Sequence, residues 1–505
     1  MLAPHAAPVY RCTVKWSFPV AACALALGFV GCGSDDQGTS PPKSTAPCGE
    51  AATPGAPFGV QCGQLVDEQG RVAFLRGINA RIDGVFDVSF DDGRVALEEV
   101  PAFTAEDAQQ LREFGFDSLR LPINWSAIEP TETGGFNEAY LNEVERVVKL
   151  CADAGVLVLL DLHQDAYSKE IGEDGAPLWA IDPPPEMLLE GPLDDLGDRR
   201  LSAQVGAAFE TFFGDSASGT NLRDRFSLMA AHVAKRFAES PNVVGLEIFN
   251  EPQAQDEGIA RLNQVALPRI REAAPDKLYV YEPPVFRNFT DRSTIADGPL
   301  GEMVGYAPHI YTYSFTATDE QKAGIEKEDL RRSNANAREE ANALKAPLII
   351  TEWGIDPLGV KGDEYLTWQS ELQEEYMASS FFWLWKEQSQ GRWGCFDYDD
   401  AASTFSPREA VKKTLARVRP SRVAGWPKHF AFDRATGSFE LDFQGDPTIK
   451  GPHVIAIAPA LGAPQTASCD GKSVTPEALG NGEFSVECGH DSAEHQIRVE
   501  VTPLP

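Results

Sequence analysis

The sequence predicts an α/β protein: a (β/α)₈ barrel followed by a small all-β sandwich. Strand and helix patterns alternate between residues 70 and 420, with eight strands on our count. The strand patterns are near-continuous apolar runs, the mark of a parallel sheet covered on both faces. After Pro420 helical periodicity disappears and short strands with Gly, Asp and Pro turns take over.

Residues 64–72 read as a short hairpin that leads into a first core strand, Phe74 to Asn79. Thr104 to Phe114 carries an N-cap and helical spacing, with Asp107 three residues after Thr104. Ser118 to Pro122 is the second strand. Asn137 to Ala154 is amphipathic, apolar at Leu141, Val144, Val147, Val148 and Cys151. Val156 to His163 is the third strand, and Gln164 to Gly219 reads as a long loop, a length usually tied to function. A helix over Asn221 to Ala238 precedes the fourth strand, Val243 to Asn250, which Pro252 terminates because proline cannot donate to a ladder. A helix over Ile259 to Ala273 and strands at Leu278 to Glu282 and Met303 to Tyr311 follow. Asp319 to Leu344 is helical, Leu348 to Glu352 a strand, Tyr365 to Tyr376 a helix, Phe381 to Trp385 a strand and Arg408 to Val418 the closing helix. Short strands then fall at 430–432, 438–441, 453–458, 484–486 and 496–501.

The chain has 505 residues, too many for one ordinary core. A barrel of about 250 residues or more plus a smaller domain fits that length. The formal charge of −32 and pI near 4.6 argue against nucleic acid or an anionic bilayer as a direct partner. They suit a neutral substrate, or simply solubility outside the cell.

Arg11 and Lys15 precede a short apolar stretch, Val20 to Val30, too short to span a bilayer. The stretch ends Phe29-Val30-Gly31-Cys32, which resembles a bacterial lipobox with Cys32 as the lipidated residue; Phe29 stands where Leu is usual. The expected organisation is a signal peptide over 1–31, a flexible tether over 32–60, a catalytic barrel over 61–420 and a sandwich over 421–505. The expected location is the bacterial cell envelope through a lipid anchor, with plain secretion as the alternative, and the expected state is a monomer. An exported setting makes Cys48 with Cys62, and Cys469 with Cys488, candidate disulfides. Cys151 and Cys395 read as inert buried thiols. No Cys/His spacing resembles a metal site, and no cofactor is expected.

Two carboxylates end two buried strands: Glu251 in Asn250-Glu251-Pro252 and Glu352 in Thr351-Glu352-Trp353-Gly354. Barrel enzymes draw their reacting groups from such strand ends. Alternation places Asp161, His163 and Asp165 on one face of the third strand, His309 and Tyr311 on one face of the sixth, and Trp383, Trp385 and Glu387 on one face of the eighth. Arg120 is a lone cation in an apolar run. Glu247 shares Glu251's face but lies deeper, where pairing with a cation is its expected task. Carboxylates, imidazoles, an amide, a phenol, an indole and a guanidinium are groups that hold sugar hydroxyls and ring faces. Spacing along the chain leaves retention and inversion both open.

These motifs resemble glycoside hydrolase family 5, in the clan with catalytic Glu on strands four and seven. The resemblance implies a retaining glycosidase, with Glu251 as acid/base and Glu352 as nucleophile. It implies Arg120 as the brace of the nucleophile, Asn250 on the 2-hydroxyl, Asp161 and Asp165 on sugar hydroxyls, His163, His309 and Tyr311 around the cleaved sugar, and Trp385 as its platform. Asp161-Leu162-His163-Gln164-Asp165, followed by Gly175-Ala176-Pro177-Leu178-Trp179-Ala180, resembles the endoglycoceramidase-like branch, as does the C-terminal sandwich. That implies a glycolipid substrate, cut between glycan and ceramide. Apolar residues of the long loop, among them Leu178, Trp179, Ile181, Met187, Leu188 and Leu189, form either an acyl-chain groove or a self-packed lid. The alternatives are a β-glucanase or mannanase acting on a polysaccharide or oligosaccharide, a β-glucosidase acting on glucosylceramide or a steryl glucoside, and a non-catalytic sugar-binding lipoprotein. Residues 385–391, with Lys386 and Glu387, match no family pattern.

Overall fold

The computed structural model describes residues 44–293, 300–388 and 393–504. Its centre is a closed parallel barrel. The strands are β1 (Arg76–Asn79), β2 (Ser118–Asn124), β3 (Leu157–His163), β4 (Val243–Glu247), β5 (Leu278–Tyr281), β6 (Val304–Tyr306, resumed at His309–Ile310), β7 (Ile349–Trp353) and β8 (Ser379–Phe382). Neighbours in sequence are neighbours in the sheet, and β8 pairs β1. Pro308 has no N–H to give the ladder, and β6 is interrupted beside it. A Tyr306–Leu348 bridge and the pairing of His309 with Glu352 carry β6 onto β7.

Leu75, Leu159, Val244, Leu278, Val280, Ile349 and Phe381 fill the barrel's interior, with Phe58 and Leu65 of the N-terminal segment packed against them. A second apolar layer lies between strands and helices, where Leu141, Val144, Val147, Val148 and Cys151 of the helix Glu138–Asp153 are buried as the periodicity requires. Thr104 and Asp107 form the expected capping box on the helix Ala105–Glu113.

Three expectations change. The segment Gln164 to Gly219 is not one loop: it holds the helices Leu196–Arg200 and Ala203–Phe213 and the start of Ala217–Phe237. Phe209, Phe212 and Phe213 are buried there, and that burial stabilises a helix the loop reading missed. The closing helix stops at Leu415, and Val418–Val423 is already a sandwich strand. The tether expected over 32–60 takes a fixed course from Ser44 onward. Ser44 Oγ donates to Asp446 at 2.6 Å, and Thr53 pairs with Val60. The signal segment 1–31 and Cys32 lie outside the described residues.

The sandwich is built from both ends of the chain. The hairpin strands Gln64–Val66 and Val72–Ala73 join Val418–Val423, His453–Ile457 and Glu483–Val486 in one sheet. The facing sheet contains Gly425–Asp433, Ser438–Gly445 and Glu494–Glu500. Val66, Val72 and Phe74 share a core with Phe430, Phe439, Leu441 and Ile455. Both expected disulfides are present, Cys48–Cys62 and Cys469–Cys488, and Cys151 and Cys395 are free and buried. No helix among the described residues is long and apolar enough to cross a membrane.

Candidate active site

The strands deliver their polar side chains to the carboxyl-end mouth in register. Asn79 pairs Arg120 across β1 and β2, Asp161 pairs Glu247 across β3 and β4, and His309 pairs Glu352 across β6 and β7. Parallel pairing thus makes neighbours of residues far apart in the chain.

Arg120 is fully buried and is the hub. Its Nε donates to Glu247 at 2.6 Å, one Nη to Glu352 Oε1 at 2.6 Å and to Asn79 at 2.9 Å, and the other Nη to Asn250 at 2.7 Å. It also pairs with Asp161 at 3.0 Å. Burial alone would lower its pKa, but Asp161, Glu247 and Glu352 raise it well above the usual value. Glu352 is held on its other oxygen by the Tyr311 hydroxyl at 2.8 Å. The nucleophile expected from sequence is therefore a carboxylate fixed on both oxygens. Glu247 has the structural task expected of it.

Glu251 leaves the end of β4 at φ +42°, in the left-handed region that non-glycine residues seldom adopt. Contacts from both sides hold it there. Its N–H donates to Glu282 at 2.8 Å, and Gln164 Nε2 donates to the carbonyls of Asn250 and Glu251 at 2.7 and 3.1 Å. Its Oε1 lies 2.9 Å from His309 Nδ1 and accepts from Asn288 at 2.6 Å; its Oε2 accepts from Arg200 at 3.2 Å. Burial would raise the Glu251 pKa, yet the His309 hydrogen bond and the Arg200 charge override it and hold the carboxyl down to about 2. That direction is opposite to the raised pKa that an acid's role demands. Glu282 carries the opposite perturbation: burial, then Glu247 and Glu251, raise it well above the carboxylate range.

His309 Nδ1 lies between the two key carboxylates, 2.9 Å from Glu251 and 3.4 Å from Glu352. One oxygen of each lies within 4.8 Å of the other. Retaining glycosidases hold their carboxyls about 5–5.5 Å apart, and inverting ones about 6.5–9.5 Å. The geometry belongs to the first class.

His163 Nδ1 is 2.5 Å from Asp161, and its ring stacks on Trp383 at 5.8 Å and 12°. Burial would lower its pKa, but Asp161 and Asp174 raise it well above the ordinary value. Two sequence expectations are corrected. Trp385 is no platform: it is 1% exposed, packs edge-on against Phe114 and Phe396, and donates its indole N–H to Asp107 at 3.0 Å. The β8 ladder stops at Phe382, so two-residue alternation does not run on to Trp385, and the aromatic at the mouth is Trp383. Asp161 is fully buried between Arg120 and His163, so it orients those groups instead of meeting a hydroxyl. Asp165 stays at the mouth, paired with Arg200.

Lys386 pairs with Asp107 at 2.5 Å. Glu387 pairs with Arg81 at 3.2 Å and accepts from the Trp393 N–H at 3.1 Å, which makes it a support of the mouth. Residues 389–391 lie outside the described residues.

Sequence reasoning missed Asn79, Gln164, Arg200, Glu282 and Asn288, and it put Trp383 on the site's face without giving it a role. Asn79 and Glu282 were visible as polar residues ending apolar strands. Arg200 and Asn288 lie on helices outside the barrel strands and carry no such signal.

Beside Glu251 opens a cleft of about 310 Å³. Leu201, Phe209, Val285, Phe286 and Phe289 line it, and Arg200 and Glu251 stand at its polar end. Leu201, Phe286 and Phe289 are exposed apolar side chains, an arrangement that marks a binding surface. The residues expected to form either a groove or a self-packed lid over 178–189 divide: Ile181 is buried, Trp179 packs on Trp125, and Met187 and Leu188 are exposed.

The model of the family Cellulase (glycosyl hydrolase family 5) matches residues 94–389. The chain is 26% identical over 413 residues to endoglycoceramidase I of Rhodococcus hoagii, covering 75% of each chain. It is 24% identical over 424 residues to an endoglycoceramidase of Cyanea nozakii, covering 75% of this chain and 79% of that one. Its fold is similar to that of endo-glycoceramidase II from Rhodococcus sp., solved with ganglioside GM3, at a TM-score of 0.71 and 23% identity, over 88% of this chain and 99% of that one.

Proposed function

The chain belongs to glycosyl hydrolase family 5, and from that premise we propose that it cuts the β-glycosidic bond between a glycan and a lipid aglycone, releasing an oligosaccharide and ceramide with retention. The observation that carries this reading is the carboxylate pair across His309 with an apolar cleft on the Glu251 side. The leaving group departs on the side of the acid, so the cleft lies where the aglycone must go. The relatives named endoglycoceramidase, matched over 75% and 79% of their length, support the same substrate class.

Glu352, bonded by Arg120 and Tyr311, attacks the anomeric carbon. Glu251 protonates the departing oxygen and then takes a proton from the water that releases the glycan. Asn250, oriented by Arg120 and by the Gln164 carbonyl, takes the 2-hydroxyl. Trp383 and His163 supply the stacking and hydrogen-bonding wall. The Val30-Gly31-Cys32 sequence supports a lipid anchor at Cys32 that holds the enzyme, as a monomer, in a bacterial cell envelope near an amphiphilic substrate.

The test is a product analysis with fluorescent lactosylceramide. Intact lactose plus ceramide supports the reading, whereas stepwise loss of monosaccharides, or activity only on cellulose or mannan, refutes it. Azide separates the two roles: Glu251→Ala yields a β-glycosyl azide and Glu352→Ala an α-glycosyl azide. The reverse outcome means the roles are exchanged.

A further inference from the structure

Arg200 stands where leaving group and acid must meet. It comes from the five-residue helix Leu196–Arg200, which buries none of its residues. Its guanidinium bridges Asp165 and Glu251 Oε2 and walls the polar end of the apolar cleft. Its Nε is buried and has no hydrogen-bond partner among the described residues. A buried donor left unpaired is unfavourable, so the side chain is incompletely satisfied where it sits. Its side chain is 32% exposed, which leaves it a path toward solvent.

We propose that Arg200 is a positioning residue that trades places with the aglycone: it lies against Glu251 in this structure and withdraws when an apolar leaving group fills the cleft. The proposal rests on the glycolipid reading above. Burying apolar surface beside a guanidinium strips its water, and Asp165 at the cleft's edge offers it a charge to keep. The groups facing Glu251 are His309 and Tyr311 from β6, Glu352 from β7, Glu282 and Asn288 after β5, and His163, Asp165 and Arg200 from β3 and its loop. Of these only Arg200 is both a cation and partly exposed, so only it can leave without disturbing the barrel.

The exchange gives each step the charge it needs. With the aglycone seated, the cation's hold on Glu251 is gone while the His309 hydrogen bond stays, so its affinity for a proton rises and it takes one from solvent. That proton passes to the glycosidic oxygen as the anomeric C–O bond breaks and Glu352 forms the glycosyl ester. The aglycone departs, Arg200 returns, and Glu251 is a carboxylate base. It takes a proton from the attacking water, and Glu352 leaves as a carboxylate.

The test compares two pH profiles on fluorescent lactosylceramide. The alkaline limb of kcat/KM reports Glu251 in the free enzyme, and the limb of the single-turnover rate at saturating enzyme reports it in the complex. In the wild type the first limb lies below the second. Arg200→Gln raises the kcat/KM limb by about one pH unit or more and leaves the single-turnover limb in place. Arg200→Lys keeps the two limbs apart. Limbs that move together, or a kcat/KM limb that does not move in Arg200→Gln, overturn the proposal. A wild type that cleaves an aryl β-lactoside but not lactosylceramide refutes the lipid reading instead; the same profiles on the aryl substrate then judge Arg200.

Discussion

Arg120 shows how one side chain sets the chemistry of its neighbours. Five groups share its guanidinium, three of them carboxylates with which it forms buried ion pairs. Lysine carries the same charge but cannot span those directions. Arg120→Lys is expected to lower kcat by about 10²-fold or more, the scale set by removing one preorganised donor, with KM changing less. Steady-state kinetics check this, and a change confined to KM would contradict the bracing role. Much of this residue's task was legible, because a lone arginine in an apolar strand needs buried partners. Its partners were not all legible: Asn79 and Asp161 reach it only through strand register.

Among the elements, the strand His453–Ile457 carries a titratable group into the sandwich. His453 Nδ1 accepts from the Ala424 N–H at 3.2 Å and its Nε2 donates to the Cys488 carbonyl at 3.0 Å, so both nitrogens are satisfied in the neutral ring. Burial pushes its pKa down to about 4. The unfolded chain, with an ordinary histidine pKa, binds the proton first as pH falls. Stability is therefore unaffected above about pH 6.5 and declines between about 6.5 and 4, by roughly 3 kcal/mol over the window. Urea titrations across that range check it, and His453→Gln is expected to flatten the dependence. Elements with long apolar repeats were the readable ones. The helix Ala203–Phe213 was not, because its phenylalanines find their partners only in tertiary packing.

At the scale of the whole molecule, barrel and sandwich are joined through buried charge and shared core. Arg417 meets Glu374 through two hydrogen bonds of 2.6 Å each, and Arg419 pairs with Asp117. Phe74, just before β1, stacks edge-on against Phe430 of the sandwich. Removing Glu374 leaves Arg417 buried and unpaired; Glu374→Ala is expected to destabilise by about 3–5 kcal/mol, measured by denaturant titration. Truncation after Pro420 uncovers Val66, Val72 and Phe74, and the product is expected to aggregate. A soluble, active 44–420 fragment would show that the two parts fold separately.

The order of strands, the pair of carboxylates at two strand ends and the family were legible in the sequence itself. They rest on local facts: period-two and period-3.6 patterns, a proline that stops a strand, a charge that interrupts an apolar run. Tertiary structure decided what those residues face. Closure of the barrel put His309 between Glu251 and Glu352, and the end of the β8 ladder turned Trp385 inward and left Trp383 at the mouth. It also brought Arg200, from a helix outside the barrel strands, onto Glu251. Side-chain alternation predicts direction only while a strand lasts, and beyond its end the packing of distant segments decides.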